Sequence, residues 1–203
     1  VIAGTAGVGK TALAVHWSRA IADRFPDGQL YVNLRGYDLR RPVPTGVALA
    51  GFLRALGVDP TQLPTDLDEA AGLYRSLLAG RRFLVLLDNA ASADQLRPLL
   101  PGDPSCLAVV TSRDRLSGLV ARDGAHRFTL DLLEPDDSVR LLGRILGPER
   151  IAAEPVAAAA LAEACGRMGQ TLYAPPSVAG WEGGSAWINS TAMLARSNLA
   201  LGL

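Results

Sequence analysis

Eight consecutive residues near the start of the chain, Gly4-Thr5-Ala6-Gly7-Val8-Gly9-Lys10-Thr11, satisfy G-x-x-x-x-G-K-[ST] at every fixed position. Apolar residues precede them and a helical run, Ala12 to Ala22, follows, which is the strand, loop, helix setting of a phosphate-binding loop. Glycines let the backbone curl until several N–H groups converge on an anion, and the positive end of the next helix adds to the attraction. The expected cofactor-binding set is Gly4, Thr5, Ala6, Gly7, Val8, Gly9, Lys10, Thr11 and Ala12, with the Thr11 hydroxyl on Mg²⁺. Lys10 is the only lysine among 20 basic residues; the other 19 are arginine. A compact ammonium on a flexible stem reaches over such a loop to the β and γ phosphates, where a planar, forked guanidinium does not fit. The alternative for this stretch is a glycine-rich turn carrying a surface lysine.

A phosphate loop holds magnesium well only with a second, acidic partner. Phe83-Leu84-Val85-Leu86-Leu87-Asp88-Asn89 supplies a continuous apolar run ending in a carboxylate. Such a run suits a strand buried on both faces of a parallel sheet, and Asp88 then emerges at the carboxyl end, where these sheets bind ligands. Asp88 is expected to orient magnesium with Thr11; the alternative is a helix-capping aspartate, a task open also to Asn89 or Ser92. Asn89 follows where a second carboxylate could polarise an attacking water. An amide can only orient it, so slow hydrolysis is expected. A third run, Leu107-Ala108-Val109-Val110-Thr111-Ser112-Arg113, ends in a polar triplet. Arg113 is expected to reach the γ phosphate and register its presence. Lys10, Asp88 and Arg113 are thus the candidate catalytic residues, and Thr11 and Asp88 the candidate metal ligands.

These residues need a scaffold that brings three strand ends together. Residues 29–34 (QLYVNL) and 126–132 (HRFTLDL) read as further strands. Residues 44–56, 66–79 and 136–146 read as helices, the last opened by Asp136 and Asp137, where negative charge is favoured. Strands alternating with helices of this length imply an α/β fold, a doubly wound parallel sheet covered on both faces. Val1-Ile2-Ala3 is shorter than a central strand, so the chain is expected to begin inside its first strand.

Bulk composition narrows the function classes. The chain has 203 residues, 49% hydrophobic and 20% charged, with a formal net charge of zero. No global field draws it to nucleic acid or an anionic membrane, so no direct nucleic-acid contact is expected. Apolar runs fall short of a membrane span and no targeting signal opens the chain, which reads as cytoplasmic. Cys106 and Cys165 are expected to be reduced, buried thiols. His16 and His126 lack a second ligand type at metal spacing and read as structural. Arg40-Arg41 reads as a solvated loop pair.

In order and spacing, GTAGVGKTALAVHW, DGQLYVNLRGYD, FLVLLDNAASADQLRPLLPG, AVVTSRDRL and FTLDLLEPDDSVRLL resemble the NB-ARC type ATPase module of STAND signalling proteins, in its actinobacterial antibiotic-regulator version. The resemblance covers residues 1 to about 167. It implies a nucleotide switch that holds ADP at rest and ATP when active, with exchange driving opening and self-association of the full-length protein. It also implies that Gly4, Gly7, Gly9, Lys10 and Thr11 carry the phosphates and magnesium, Asp88 the magnesium, and Arg113 the γ-phosphate sensing. Residues 1–135 would be the nucleotide-binding domain and 136–167 the start of a helical subdomain. The family's adenine-closing segment, upstream of the first strand, is expected to lie outside this chain. So is its Leu-Pro-Leu motif, replaced after Arg167 by a different sequence.

Of 40 charged residues, only Glu182 and Arg196 fall in Gln170 to Leu203, which also holds two of the three tryptophans. Pro175-Pro176 forbids regular helix there, and 186–201 could form an apolar helix. The last 36 or so residues resemble the carboxyl end of an uncharacterised bacterial family of unknown function. A fusion joined near 166–169 is therefore expected, by recombination, frameshift or assembly error, with 168–203 a foreign tail; the alternative is a diverged helical subdomain. The expected function is an ATP/ADP-binding signalling switch with slow Mg²⁺-dependent hydrolysis. A weakly binding inactive fragment and a P-loop small-molecule kinase are the alternatives.

Overall fold

The computed structural model describes residues 1–38 and 41–165. Arg40, the expected junction near 166–169, the whole of 168–203 and its apolar helix lie outside the described residues.

Eight α-helices and five strands make up the regular structure of the described residues, with three short 3-10 turns. The strands are β1 (Ile2–Ala3), β2 (Gly28–Asn33), β3 (Phe83–Ala90), β4 (Leu107–Ser112) and β5 (Phe128–Thr129). Between and after them run α1 (Lys10–Ala20), α2 (Thr45–Ala55), α3 (Leu67–Leu78), α4 (Ala93–Leu96), α5 (Ser117–Asp123), α6 (Pro135–Leu146), α7 (Pro148–Ala153) and α8 (Pro155–Ala164). All strand pairs are parallel, in the order β2-β3-β4-β1-β5. The expected α/β parallel sheet is therefore what the chain forms.

The two faces of β3 show why its sequence is apolar without alternation. Leu84 and Leu86 pack on one side with Ala14 and Val15 of α1, while Phe83, Val85 and Leu87 pack on the other with Leu49 and Leu53 of α2 and Tyr74 and Leu78 of α3. Both faces are covered by helices, so neither needs polar residues. Asp66 caps α3 by accepting the Glu69 N–H at 2.9 Å, and Ser92 caps α4 by accepting that of Gln95 at 3.2 Å. Capping thus falls to Ser92, and Asp88 is left for another role.

Three boundaries differ from expectation for physical reasons. Helix α1 starts at Lys10, two residues early, because the Leu13 N–H donates to the Gly9 carbonyl at 2.9 Å and closes a turn around Lys10 and Thr11. Strand β3 runs one residue past the expected end at Asn89, because Ala90 still pairs with Ser112 in the sheet. The strand expected over 126–132 is shorter, Phe128–Thr129, flanked by hydrogen bonds from the Val1 amine to the His126 carbonyl at 2.7 Å and from the Leu130 N–H to the Ala3 carbonyl at 2.7 Å, and Phe128 is 58% exposed. Helices α6 to α8 gather around Leu142 and Ala162, joined by Val139, Ile151 and Cys165. Both thiols are half-buried rather than buried; Cys106 donates to the Arg81 carbonyl at 3.2 Å.

Candidate functional site

The loop between β1 and α1 is shaped by what it passes. Gly4 lies against the Leu130 carbonyl, where any Cβ would collide with backbone. Gly9 caps α1 in the left-handed region, at φ 101°, and brings no side chain to the first-turn N–H groups. A helix start with no capping side chain leaves its donors, and the positive end of its dipole, open to an anion. Lys10 Nζ donates to the Thr5 carbonyl at 2.6 Å, so the ammonium curls back over the loop it belongs to. Burial, and next the charge of Arg113, hold Lys10 below the usual lysine range, with Asp88 opposing.

Thr11 Oγ1 donates to Asp88 Oδ1 at 2.8 Å, joining residues 77 positions apart. The same oxygen accepts from Thr111 Oγ1 at 2.6 Å. Asp88 is only 4% exposed, and burial pushes its carboxyl above the usual range, while the hydrogen bonds from Thr111 and Thr11 and the charge of Lys10 pull the other way. Tyr31 of β2 hydrogen-bonds to Asp88 as well, and burial followed by that carboxylate holds the phenol strongly protonated. An acid held in this way is a hard-oxygen ligand set with one hydroxyl, the kind magnesium accepts. The Thr11 and Asp88 oxygens are thus of the kind that would hold a magnesium ion, and the uncapped helix start with Lys10 is of the kind that would hold a polyphosphate.

Pairing between β3 and β4 slips at this point: Leu87 faces Val110 but Ala90 faces Ser112, so Asp88 and Asn89 together oppose Thr111. Asn89 takes up the extra residue with φ 56°. Bulges of this kind re-aim side chains beside functional sites. Thr111 makes the bulge self-consistent, since its hydroxyl also accepts the Asn89 N–H at 2.9 Å. On the other side, Leu34 donates to the Asp88 carbonyl at 2.8 Å and Gly36 to that of Asn89 at 2.7 Å. Gly36 comes so close that a Cβ would sit 2.6 Å from the Asn89 oxygen and 2.5 Å from the Ala91 nitrogen.

Arg113 leaves the end of β4 exposed, with its guanidinium carbon 5.2 Å from the centroid of the Tyr37 ring. Of the residues singled out from sequence, the structure thus gathers the 4–12 loop, Asp88 and Arg113 at the carboxyl ends of the neighbouring strands β1, β3 and β4. His126 is exposed, His16 half-buried, and neither joins the site. Among the described residues no group of three or more His, Cys, Asp or Glu could hold a metal. Sequence reasoning missed Tyr31, Gly36 and Tyr37, and took Thr111 only as part of a polar triplet. Alternation along β2 places Tyr31 and Asn33 on one face, but the register that sets Asn33 opposite Asp88 comes only from the fold, so no signal in the sequence pointed to Tyr31.

Over 165 residues the chain is 52% identical to Regulatory protein AfsR of Streptomyces griseus and 50% identical to Regulatory protein AfsR of Streptomyces coelicolor. Each match takes 81% of this chain but only 16% of the relative, so the chain spans a small part of the length of these regulators. Residues 121–203 match a family described as a protein of unknown function, DUF1800. That match starts at α5 and so takes in α6 to α8 together with the tail, well before the change of composition expected near 166–169. No helix among the described residues is long and apolar enough to cross a membrane. At this level the expected likeness to regulatory proteins, and to a family of unknown function at the carboxyl end, is found.

Proposed function

We propose that the chain is the ATP- and ADP-binding switch module of a signalling or transcriptional regulator, of the NB-ARC type. The observation that carries this reading is the hydrogen bond from Thr11 to Asp88, which ties the phosphate loop to the acidic strand end. Gly4 to Ala12 line the phosphates, and Lys10 exchanges the Thr5 carbonyl for phosphate oxygen. Bound magnesium would neutralise phosphate charge, held by Thr11 and Asp88. Arg113 stands beyond Lys10, close enough for its charge to be felt there. Asn89 can orient a water but cannot take its proton, so hydrolysis is slow. Residues 1–135 carry the nucleotide, and α6 to α8 begin the helical part. Similarity to two regulators favours a switch over a small-molecule kinase.

Titration calorimetry of the whole chain with ATP or ADP and Mg²⁺ tests this. Lys10→Ala is expected to weaken binding by about tenfold or more, the worth of charge-assisted hydrogen bonds. Absence of heat with both nucleotides would reject the reading.

A further inference from the structure

Arg113 carries a positive charge into a space already faced by Lys10, and the two repel. Among the contacts described for Arg113, the Tyr37 ring is the one that offsets this. A guanidinium over an aromatic face is attracted by the ring quadrupole, but far more weakly than by a phosphate. The seat itself is firm. Gly36, next to Tyr37, donates to the Asn89 carbonyl at 2.7 Å and tolerates no Cβ there, and Leu34 donates to the Asp88 carbonyl at 2.8 Å. The loop bearing Tyr37 is therefore strapped to the bulge that carries Asp88.

We propose that Tyr37 is a specificity-determining residue for nucleotide, a ring that seats Arg113 until a terminal γ phosphate draws it away. This rests on the nucleotide-switch reading above. A diphosphate lacks the group that competes for Arg113, so the ring keeps the guanidinium and loses nothing. A triphosphate must pull the guanidinium off the ring, and that contact is subtracted from its affinity. Tyr37 thus handicaps the triphosphate relative to the diphosphate. The phenol oxygen takes no part in the attraction, because the ring face supplies it.

The test is the ratio of ATP to ADP affinity with Mg²⁺, measured on the whole chain for wild type, Tyr37→Leu, Tyr37→Phe, Arg113→Ala and the Tyr37→Leu/Arg113→Ala double variant. Tyr37→Leu is expected to shift the ratio toward ATP by about two- to fivefold, the worth of an exposed cation–π contact, with ADP affinity unchanged. Tyr37→Phe keeps the wild-type ratio, and the leucine change has no effect in the Arg113→Ala background. An unchanged ratio in Tyr37→Leu, or an equal fall for both nucleotides, overturns the seat while leaving nucleotide binding standing. No binding of either nucleotide by the wild type overturns the switch reading and the seat with it.

Discussion

The Thr111 hydroxyl donates to Asp88 Oδ1 at 2.6 Å, and the strand slip at Asp88 and Asn89 is closed by the same oxygen, which accepts the Asn89 N–H at 2.9 Å. One side chain therefore both aims the acid and satisfies the backbone of the strained residue after it. Thr111→Val keeps the shape but removes both bonds, leaving a buried donor unsatisfied. The expected cost is about 1–3 kcal/mol in urea unfolding, together with weaker Mg²⁺-dependent nucleotide binding. Thr111→Ser, which keeps the hydroxyl, should restore most of the binding.

Asp88→Asn separates the proposed metal role from stability. Burial raises the Asp88 carboxyl, so the ionised form is held at a cost to the fold. The amide removes that cost, and thermal unfolding is expected to show a protein as stable as wild type or more stable by up to about 2 kcal/mol. The Mg²⁺ dependence of nucleotide affinity should vanish. A variant that unfolds readily would show that Asp88 serves the fold instead.

The same carboxyl gives a pH dependence of known sign. Its folded-state value lies above the unfolded one, so its contribution to stability is present at acid pH and fades as pH rises through the folded value. Nucleotide binding runs the other way. The Mg²⁺-dependent part needs the ionised acid and is expected to fall away, as pH drops, above the usual carboxylate range. Subtracting the Asp88→Asn profile from that of wild type isolates this term. On the alkaline side Lys10, held below its usual range first by burial and then by Arg113, should lose its proton earlier than a free lysine does. Anion affinity of the free protein then declines before pH reaches the ordinary lysine range.

Gly36→Ala tests the strap between β2 and the bulge. Its Cβ would meet the Asn89 oxygen at 2.6 Å and the Ala91 nitrogen at 2.5 Å, both backbone atoms that cannot swing aside. A loss of about 1–3 kcal/mol in chemical unfolding is expected, with nucleotide affinity falling further than Lys10 and Thr11 alone would explain. A silent substitution would mean the loop is free to move off the bulge.

Much of the candidate site's framework was legible because its parts are local. Gly4 to Thr11 shape a loop through their own backbone freedom, and β3 announces its burial through an unbroken run from Phe83 to Leu87. Helix α3 carries its own cap in Asp66, and its apolar positions Ala70, Ala71, Tyr74 and Leu78 recur on one face. The strand over 126–132 misled because an edge strand pairs on one side only, and its sequence carries no sign of how much of it finds a partner.

What the sequence by itself determined is therefore the set of pieces: a glycine-rich loop opening a helix, an acid at the end of a buried strand, an arginine at the end of another, in an α/β pattern. These follow from interactions within a few residues, where spacing and chemistry act directly. Which pieces meet was decided only by the tertiary structure. The order β2-β3-β4-β1-β5 puts β4 between the loop-bearing strand and the acidic one, and so makes Thr111 rather than a closer neighbour in sequence the partner of Asp88. The slip between β3 and β4 turns Asn89 into the anchor for Gly36, and that anchor carries Tyr37 to Arg113. Such contacts join residues whose separation along the chain bears no relation to their separation in space, so no local pattern encodes them.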